Sequence, residues 1–303
     1  CERLQIMIIN LKQNALLFYK YSTKLNLPVY LKSDISAFYI QFGNKRYFFR
    51  HLQHPFNNNS SMSIVNNRHC LNNLLSSARL PVLKMCTISK DDLQASENLK
   101  KNLSDFQFPL SVGPTLITND TEVKDTIVSN FLELKETAQL LFRDNQWLSV
   151  QDNCPYPNTY KILVFNNKII NIIHVSYPPA TENSDLNKKN RIFKLLNNSL
   201  SEENTDFLLK AARSLGVNLI SFDIKCLDLE KPLATTSTIL AVDSCPDLTI
   251  YYSKSNRTIL DKIIEPMLMH IIYKHPFSYL ICLARSFFRF GISRPEKLTQ
   301  KTT

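Results

Sequence analysis

The sequence predicts an α+β protein, and three observations carry that prediction. Strand-like and helix-like runs are intermixed along the chain without the strict alternation that a parallel α/β sheet requires. Two pairs of strand-like runs are separated by tight turns, at Gly43-Asn44 and at Asn166-Asn167, which read as hairpins. With 303 residues, 44% apolar and 20% charged, the chain has a globular composition. Its length suits about two domains or lobes at roughly 150 residues each.

The elements follow in order. Leu4, Ile8, Leu11 and Leu16 give an apolar-periodic start. Residues 29–31, 38–42 and 46–49 carry the β-branched and aromatic content of strands, and 57–61 is a polar loop. From Ser63, the residues Ile64, His69, Leu71, Leu74, Leu75 and Ala78 fall on one helical face until Pro81 stops the run. A second helix is expected over 121–142, with Thr118, Asn119 and Asp120 as caps and Val123, Ile127, Phe131 and Leu134 on its apolar face. Residues 161–165 and 168–175 form the clearest hairpin, because both turn asparagines tolerate positive φ. A polar connection covers 178–189. An amphipathic helix spans 205–215 with Gly216 as its C-cap, and 217–224 and 237–243 read as strands. A last helix starts near Thr258, with a kink expected at Pro266.

Composition excludes several function classes. The chain has only 4 glycines, against roughly 21 expected at average usage. Gly43, Gly113, Gly216 and Gly291 are far apart, so no Walker-A or G-x-G-x-x-G loop can form. Lys and Arg number 36 against 26 Asp and Glu, a net charge of +10, but the charge is dispersed. Its densest piece, Lys188, Lys189, Arg191 and Lys194, reads as solvated surface, and no specific nucleic-acid signature is present. The seven cysteines include no C-x-x-C pair, which predicts a reduced, cytoplasmic setting. The apolar stretch 263–289 is interrupted by Glu265, Pro266, His270, Lys274, His275 and Pro276, so no transmembrane segment is expected.

Four segments, in order, resemble the ATP-grasp superfamily, and most of all its carboxylate–amine ligases of the glutathione synthetase and cyanophycin synthetase type. Residues 63–82 (SIVNNRHCLNNLLSSARLPV) look like the helix in which a basic residue precedes a leucine-rich run. FPLSVGP at 108–114 sits where those ligases carry a "yPvVvKP" strand. WLSVQDN and YKILVFNNKIINII, within 147–173, are similar to the hinge and hairpin that follow. AARSLGVNLISFDIKC and ILAVDSCPDL resemble "A…lGl…GvDi" and "ilEvNssPgl". The likeness covers residues 28–270.

The resemblance implies an ATP-grasp-like fold of two lobes behind a small N-terminal pre-grasp region. The division it suggests is 1–62 for that region and 63–303 for the ATP-grasp-like domain. The domain comprises a first lobe (63–150), a second lobe (151–275) and a tail (276–303). It also implies ATP and Mg²⁺ as cofactors and ATP-dependent ligation as the activity, with the nucleotide as the implied partner. Residue by residue, the first phosphate-binding basic position falls on Arg68. The hinge contacts fall on Gln151 and Asp152, the hairpin arginine on Lys161, and two metal ligands on Asp223 and Asp243.

Other positions depart from the pattern. The second basic residue falls on Gly113 and the bridging glutamate on Ala241, and Ser176 and Tyr177 stand where arginines are expected. Only Thr115, Leu116 and Ile117 precede the expected caps of the next helix, so the glycine-rich lid reads as deleted. Phosphoryl transfer depends on cationic clamping, and Mg²⁺ on carboxylate oxygens. These losses predict a divergent homologue of reduced or lost ligase activity. The alternative is an active, atypical ATP- and Mg²⁺-dependent carboxylate–amine ligase that recruits Lys84, Lys124 or Lys161 as the missing cation. Plain structural readings also stand: Arg68 as a solvated helix residue, and Asp223 and Asp243 as strand-end caps.

Overall fold

The structure, a computed structural model, describes residues 11, 13–116, 125–176, 192–196, 200–251 and 257–290. The chain forms two compact units, one of residues 1–55 with 247–303 and the other of residues 56–246. The division drawn from sequence ran in simple chain order. The structure instead groups the C-terminal residues from 247 onward with the first 55.

In the first unit, helix α1 (Gln13–Lys24) packs on an antiparallel sheet of β1 (Val29–Lys32), β2 (Ala37–Phe42) and β3 (Lys45–Arg50). The Gly43-Asn44 turn joins β2 to β3, with Gly43 at φ 57°. Phe18, Phe38 and Phe49 form the centre of this unit, and the rings of Phe38 and Phe49 stack at 4.8 Å. Stacked aromatics of this kind add directional attraction to a large buried area. The helix Arg257–Tyr273 contacts α1 and runs through Pro266, and residues 276–290, expected to be tail, form the helix Pro276–Phe290. Among the described residues, no helix is long and apolar enough to cross a membrane.

The second unit begins with α2 (Asn59–Val65) and α3 (Arg68–Ser77). The expected single helix is therefore broken at Asn66 and Asn67. The reason is capping: the Asn67 side chain accepts from the Cys70 amide, and Asn58 does the same for Ser61. There follow β4 (Met85–Ser89), α4 (Lys90–Gln94), α5 (Ser96–Asn102), β5 (Leu110–Pro114), β6 (Thr126–Val128), α6 (Phe131–Leu141) and β7 (Trp147–Asp152). The four strands pair antiparallel in the order β4-β7-β5-β6. One sheet face buries Ile88, Leu110, Val112, Leu148 and Val150 with Leu99, Leu134 and Ala138 from the helices.

The helix expected over 121–142 is thereby corrected. Residues 126–128 pair with β5, and the helix starts at Phe131 behind Asn130, whose side chain accepts from the Leu132 and Glu133 amides. The caps proposed at 118–120 lie outside the described residues. The connection from Pro114 to the next helix thus runs from Thr115 to Asn130 and includes the strand Thr126–Val128, so it is longer than the three residues that separate Pro114 from the expected caps.

Past β7 the chain enters β8 (Asn158–Phe165) and β9 (Lys168–Ser176), joined at Asn166 and Asn167 with φ of 47° and 58°. With β10 (Ile192–Leu196), β11 (Leu219–Cys226) and β12 (Ser237–Asp243) they form an antiparallel sheet ordered β10-β9-β8-β11-β12. Residues 178–189 lie outside the described residues. Helix α7 (Glu202–Leu215) ends at Gly216, whose φ of 63° is the left-handed cap that glycine accommodates without strain. Its apolar face (Phe207, Leu208, Ala211, Ala212, Leu215) packs with Leu71 and Leu75 of α3 and with Ile162, Phe222 and Ile224 of the sheet. The result is an α+β unit of two sheet-centred lobes, linked by the chain segment from β7 to β8.

Candidate functional site

The two lobes face each other across a cavity of about 310 Å³. Alternation along the strands explains which side chains reach it. In β5 and β7, residues 110, 112, 148 and 150 are buried in the lobe core, so Ser111 and Gln151, which line the cavity, share the opposite face with Gly113 and Ser149. In β11, Asp223 and Lys225 share a face. Arg68 comes from the first turn of α3, where its backbone amide donates to Thr115 O at 2.9 Å.

Of the residues singled out from sequence, Arg68, Gln151, Asp152 and Asp223 line this cavity. Lys161 lies opposite Asp223 on β8 and is ion-paired with its Oδ1. Asp243 does not line the cavity, and its Oδ1 accepts from the Cys245 amide at 2.8 Å. Ala241, the cross-strand neighbour of Asp223 on β12, contributes only a methyl group.

Sequence reasoning missed two charged residues of the cavity. Lys225 lines it and enters no ion pair among the described residues. Asp125 stands between Arg68 and Gly113: its Oδ1 lies 2.7 Å from Arg68 Nη1, and its Oδ2 accepts from Ser111 Oγ at 3.3 Å. Of the cations suggested as replacements, Lys84 pairs with Asp105 at 3.6 Å, Lys161 is held by Asp223, and Lys124 lies outside the described residues.

At the hinge end, Gln151 Nε2 points to Met85 Sδ at 3.3 Å, and the Asp152 amide donates to Lys84 O at 3.1 Å. Oδ1 of Asp152 is buried with no hydrogen-bond partner among the described residues. A buried acceptor in that state calls for a donor. The walls are apolar, with Leu71, Leu75, Val82, Leu110, Ile239 and Val242.

The metal positions do not fit Mg²⁺. The divalent ion takes a shell of hard oxygens, whereas Asp223 is neutralised by an ammonium group and Asp243 is turned to a backbone amide. Among the described residues no group of three His, Cys, Asp or Glu side chains could hold a metal. A second cavity, of about 560 Å³, lies at the Trp147 end of the four-stranded sheet, and none of the residues singled out from sequence lines it.

The thiols yield an independent check on the packing. Cys86, on β4, is pushed up to about 11 by burial and then by the nearby Asp92 and Asp152 carboxylates. Cys226 is pushed up to about 12 by burial, with smaller contributions from Asp228 and Cys154. Cys70 is exposed. Because the thiolate is the nucleophile, alkylation at pH 8 should be about a hundredfold slower or more at Cys86 and Cys226 than at an ordinary exposed thiol. Mass-spectrometric mapping after iodoacetamide treatment reads this directly. Modification of Cys226 as fast as Cys70 would contradict the packing described.

Comparison with solved structures places this architecture. D-alanine–D-alanine ligase from Bacillus anthracis superposes with a TM-score of 0.56 and 17% identity, over 76% of this chain and 72% of that one. The same enzyme complexed with ATP superposes with a TM-score of 0.52 and 20% identity, over 70% of each chain. The bifunctional glutathione synthetase from Pasteurella multocida has a TM-score of 0.55 at 12% identity, and the match covers 85% of this chain but 45% of that one. The ATP-grasp ligase PsnB, complexed with its minimal precursor, has a TM-score of 0.50 at 13% identity, over 71% and 63%. No family model matches the sequence, and no curated protein matches it by sequence.

The chain therefore has the α+β fold of the ATP-grasp ligases. At 12% to 20% identity the likeness concerns the fold. A fold does not by itself carry its function, and for that the side chains of the cavity must be consulted.

Proposed function

We propose that this protein is a divergent ATP-grasp homologue in which ATP- and Mg²⁺-driven ligation is reduced or lost, and whose cleft persists as a binding site. One observation carries the reading: the basic groups at the sequence-matched positions, Arg68 at the first basic position and Lys161 at the hairpin arginine, are each bound to a carboxylate of the same chain. The cavity lining counts Arg68 and Lys225 against Asp125, Asp152 and Asp223. A triphosphate entering it meets no surplus of positive charge, whereas phosphoryl transfer relies on cations that neutralise the moving group. The loss of one metal-binding carboxylate at Ala241 acts in the same direction. By contrast, the hinge keeps polar groups suited to a base. The dispersed cysteines, with no C-x-x-C pair in the sequence, suit a reducing, cytoplasm-like compartment.

The second reading is an active, atypical carboxylate–amine ligase, and Lys225 is the observation that favours it, as a cleft cation engaged in no ion pair among the described residues. Titration calorimetry with ATP, with and without millimolar Mg²⁺, separates the two on the wild type and on Asp223→Ala. The expected result is an ATP affinity that Mg²⁺ does not tighten and that Asp223→Ala does not change. Mg²⁺-dependent micromolar binding, abolished in Asp223→Ala, would establish the second reading.

A further inference from the structure

Gly113 is the point from which the cleft's charge arrangement can be understood. A Cβ built on Gly113 would stand 2.1 Å from Asp125 Oδ1 and 3.1 Å from Arg68 Nη1. The volume that a side chain at 113 would take is thus filled by a carboxylate from β6's leading edge. That carboxylate is held on both oxygens, by Arg68 Nη1 at 2.7 Å and Ser111 Oγ at 3.3 Å. Arg68 Nη1 also donates to Ser149 Oγ at 3.3 Å, and Ser149 Oγ donates to Gly113 O at 3.2 Å. One guanidinium and a serine hydroxyl therefore converge on an anion, with a second serine fixing the guanidinium. The Arg68 side chain is largely covered and that of Asp125 about one-third exposed, so the pair is only partly screened by water.

We propose that Asp125 is a built-in anion occupying a phosphoryl-binding position formed by Arg68, Ser111 and the space left by Gly113. Rested on the reading above, this names the residue that closes the phosphate end of the cleft. A guanidinium binds phosphate and carboxylate oxygens with the same donors, so the two compete for one group. The internal carboxylate has the advantage of being tethered. The wild-type cleft then takes ligands that bring no anion to this position, and removing the Asp125 charge turns the position into a phosphoryl subsite.

Inorganic pyrophosphate is the probe, because it tests this position without a base at the hinge. Binding is measured by calorimetry at fixed ionic strength on the full chain, for the wild type, Asp125→Asn, and Asp125→Asn combined with Arg68→Met. Freeing a charged hydrogen-bond donor should tighten pyrophosphate binding by about tenfold or more in Asp125→Asn. The gain should vanish in the double variant and shrink with added salt. Gly113→Ala is a second route to the same end, since its methyl group forces the carboxylate aside while leaving net charge unchanged; a smaller gain is expected there. Asp105→Asn, which removes an exposed carboxylate elsewhere, should bind as the wild type does.

No gain in Asp125→Asn, a gain that survives loss of Arg68, or an equal gain in Asp105→Asn would each overturn the proposal. None of these bears on whether MgATP binds the wild type, so the reading of lost ligation stands or falls separately in the ATP titration.

Discussion

Asn204→Ala lowers the stability of the protein by about 2 to 4 kcal/mol, because three main-chain groups, one of them buried, lose a side-chain partner. Asn204 is fully buried in the first turn of α7. Its Nδ2 donates to the carbonyls of Leu229 and Lys231, each at 2.9 Å, and its Oδ1 accepts from the Leu233 amide at 2.8 Å. One amide side chain thereby fixes the loop that carries the chain from β11 into β12. Alanine leaves the buried Leu233 amide without a partner, while the carbonyls of Leu229 and Lys231 lie nearer the surface. Urea denaturation is the measurement: the midpoint should fall sharply with little change in slope. A loss below about 1 kcal/mol would mean that water replaces the side chain and that this loop is not packed as described.

Lys161→Met has the second largest effect, and it concerns the cleft itself. The Lys161–Asp223 pair is mostly covered, with side-chain exposures of 19% and 31%. Removing the ammonium leaves a carboxylate without its counter-charge at a partly dry site, which costs about 1 to 3 kcal/mol, less than a fully buried pair would lose. The bare Asp223 should then attract a divalent cation, so millimolar Mg²⁺ or Mn²⁺ should recover part of the lost melting temperature. The wild type should show no such recovery. A variant as stable as the wild type, or a wild type stabilised equally by the metal, would contradict the view that Lys161 stands in for a cation at Asp223.

Much of the fold was legible because its signals are local. Gly43, Asn166, Asn167 and Gly216 all adopt positive φ where a turn or a cap was expected. The apolar runs 161–165 and 168–175 on either side of Asn166-Asn167 mark two paired strands, and the apolar face of 205–215 marks a helix, before any partner is known. Where the structure differed, the deciding interaction was one that apolar periodicity does not carry. Val123, Ile127, Phe131 and Leu134 have helical spacing, yet 126–128 form a strand because β5 presents a pairing edge to them. Asn67 breaks the first helix with a side-chain cap that costs the apolar periodicity nothing.

The site was legible in the same uneven way. Arg68, Gln151, Asp152 and Asp223 line one cavity. Asp125 was invisible because an acid in a presumed helix carries no sign of its partner. Its signal was indirect: a glycine where a long cation was expected leaves space, and something must fill it. Lys225 was missed because alternation places it beside Asp223 only once the strand bounds are known.

The affinity of the wild-type protein for ATP relative to adenosine, measured by calorimetry in the presence of Mg²⁺, tests the central claim most directly. A cleft in which Arg68 and Lys161 are already satisfied predicts that the three phosphates add nothing, so ATP binds no more tightly than adenosine. ATP binding about tenfold tighter than adenosine or more, the contribution of even one good charged contact, would show an open phosphate site and contradict the account.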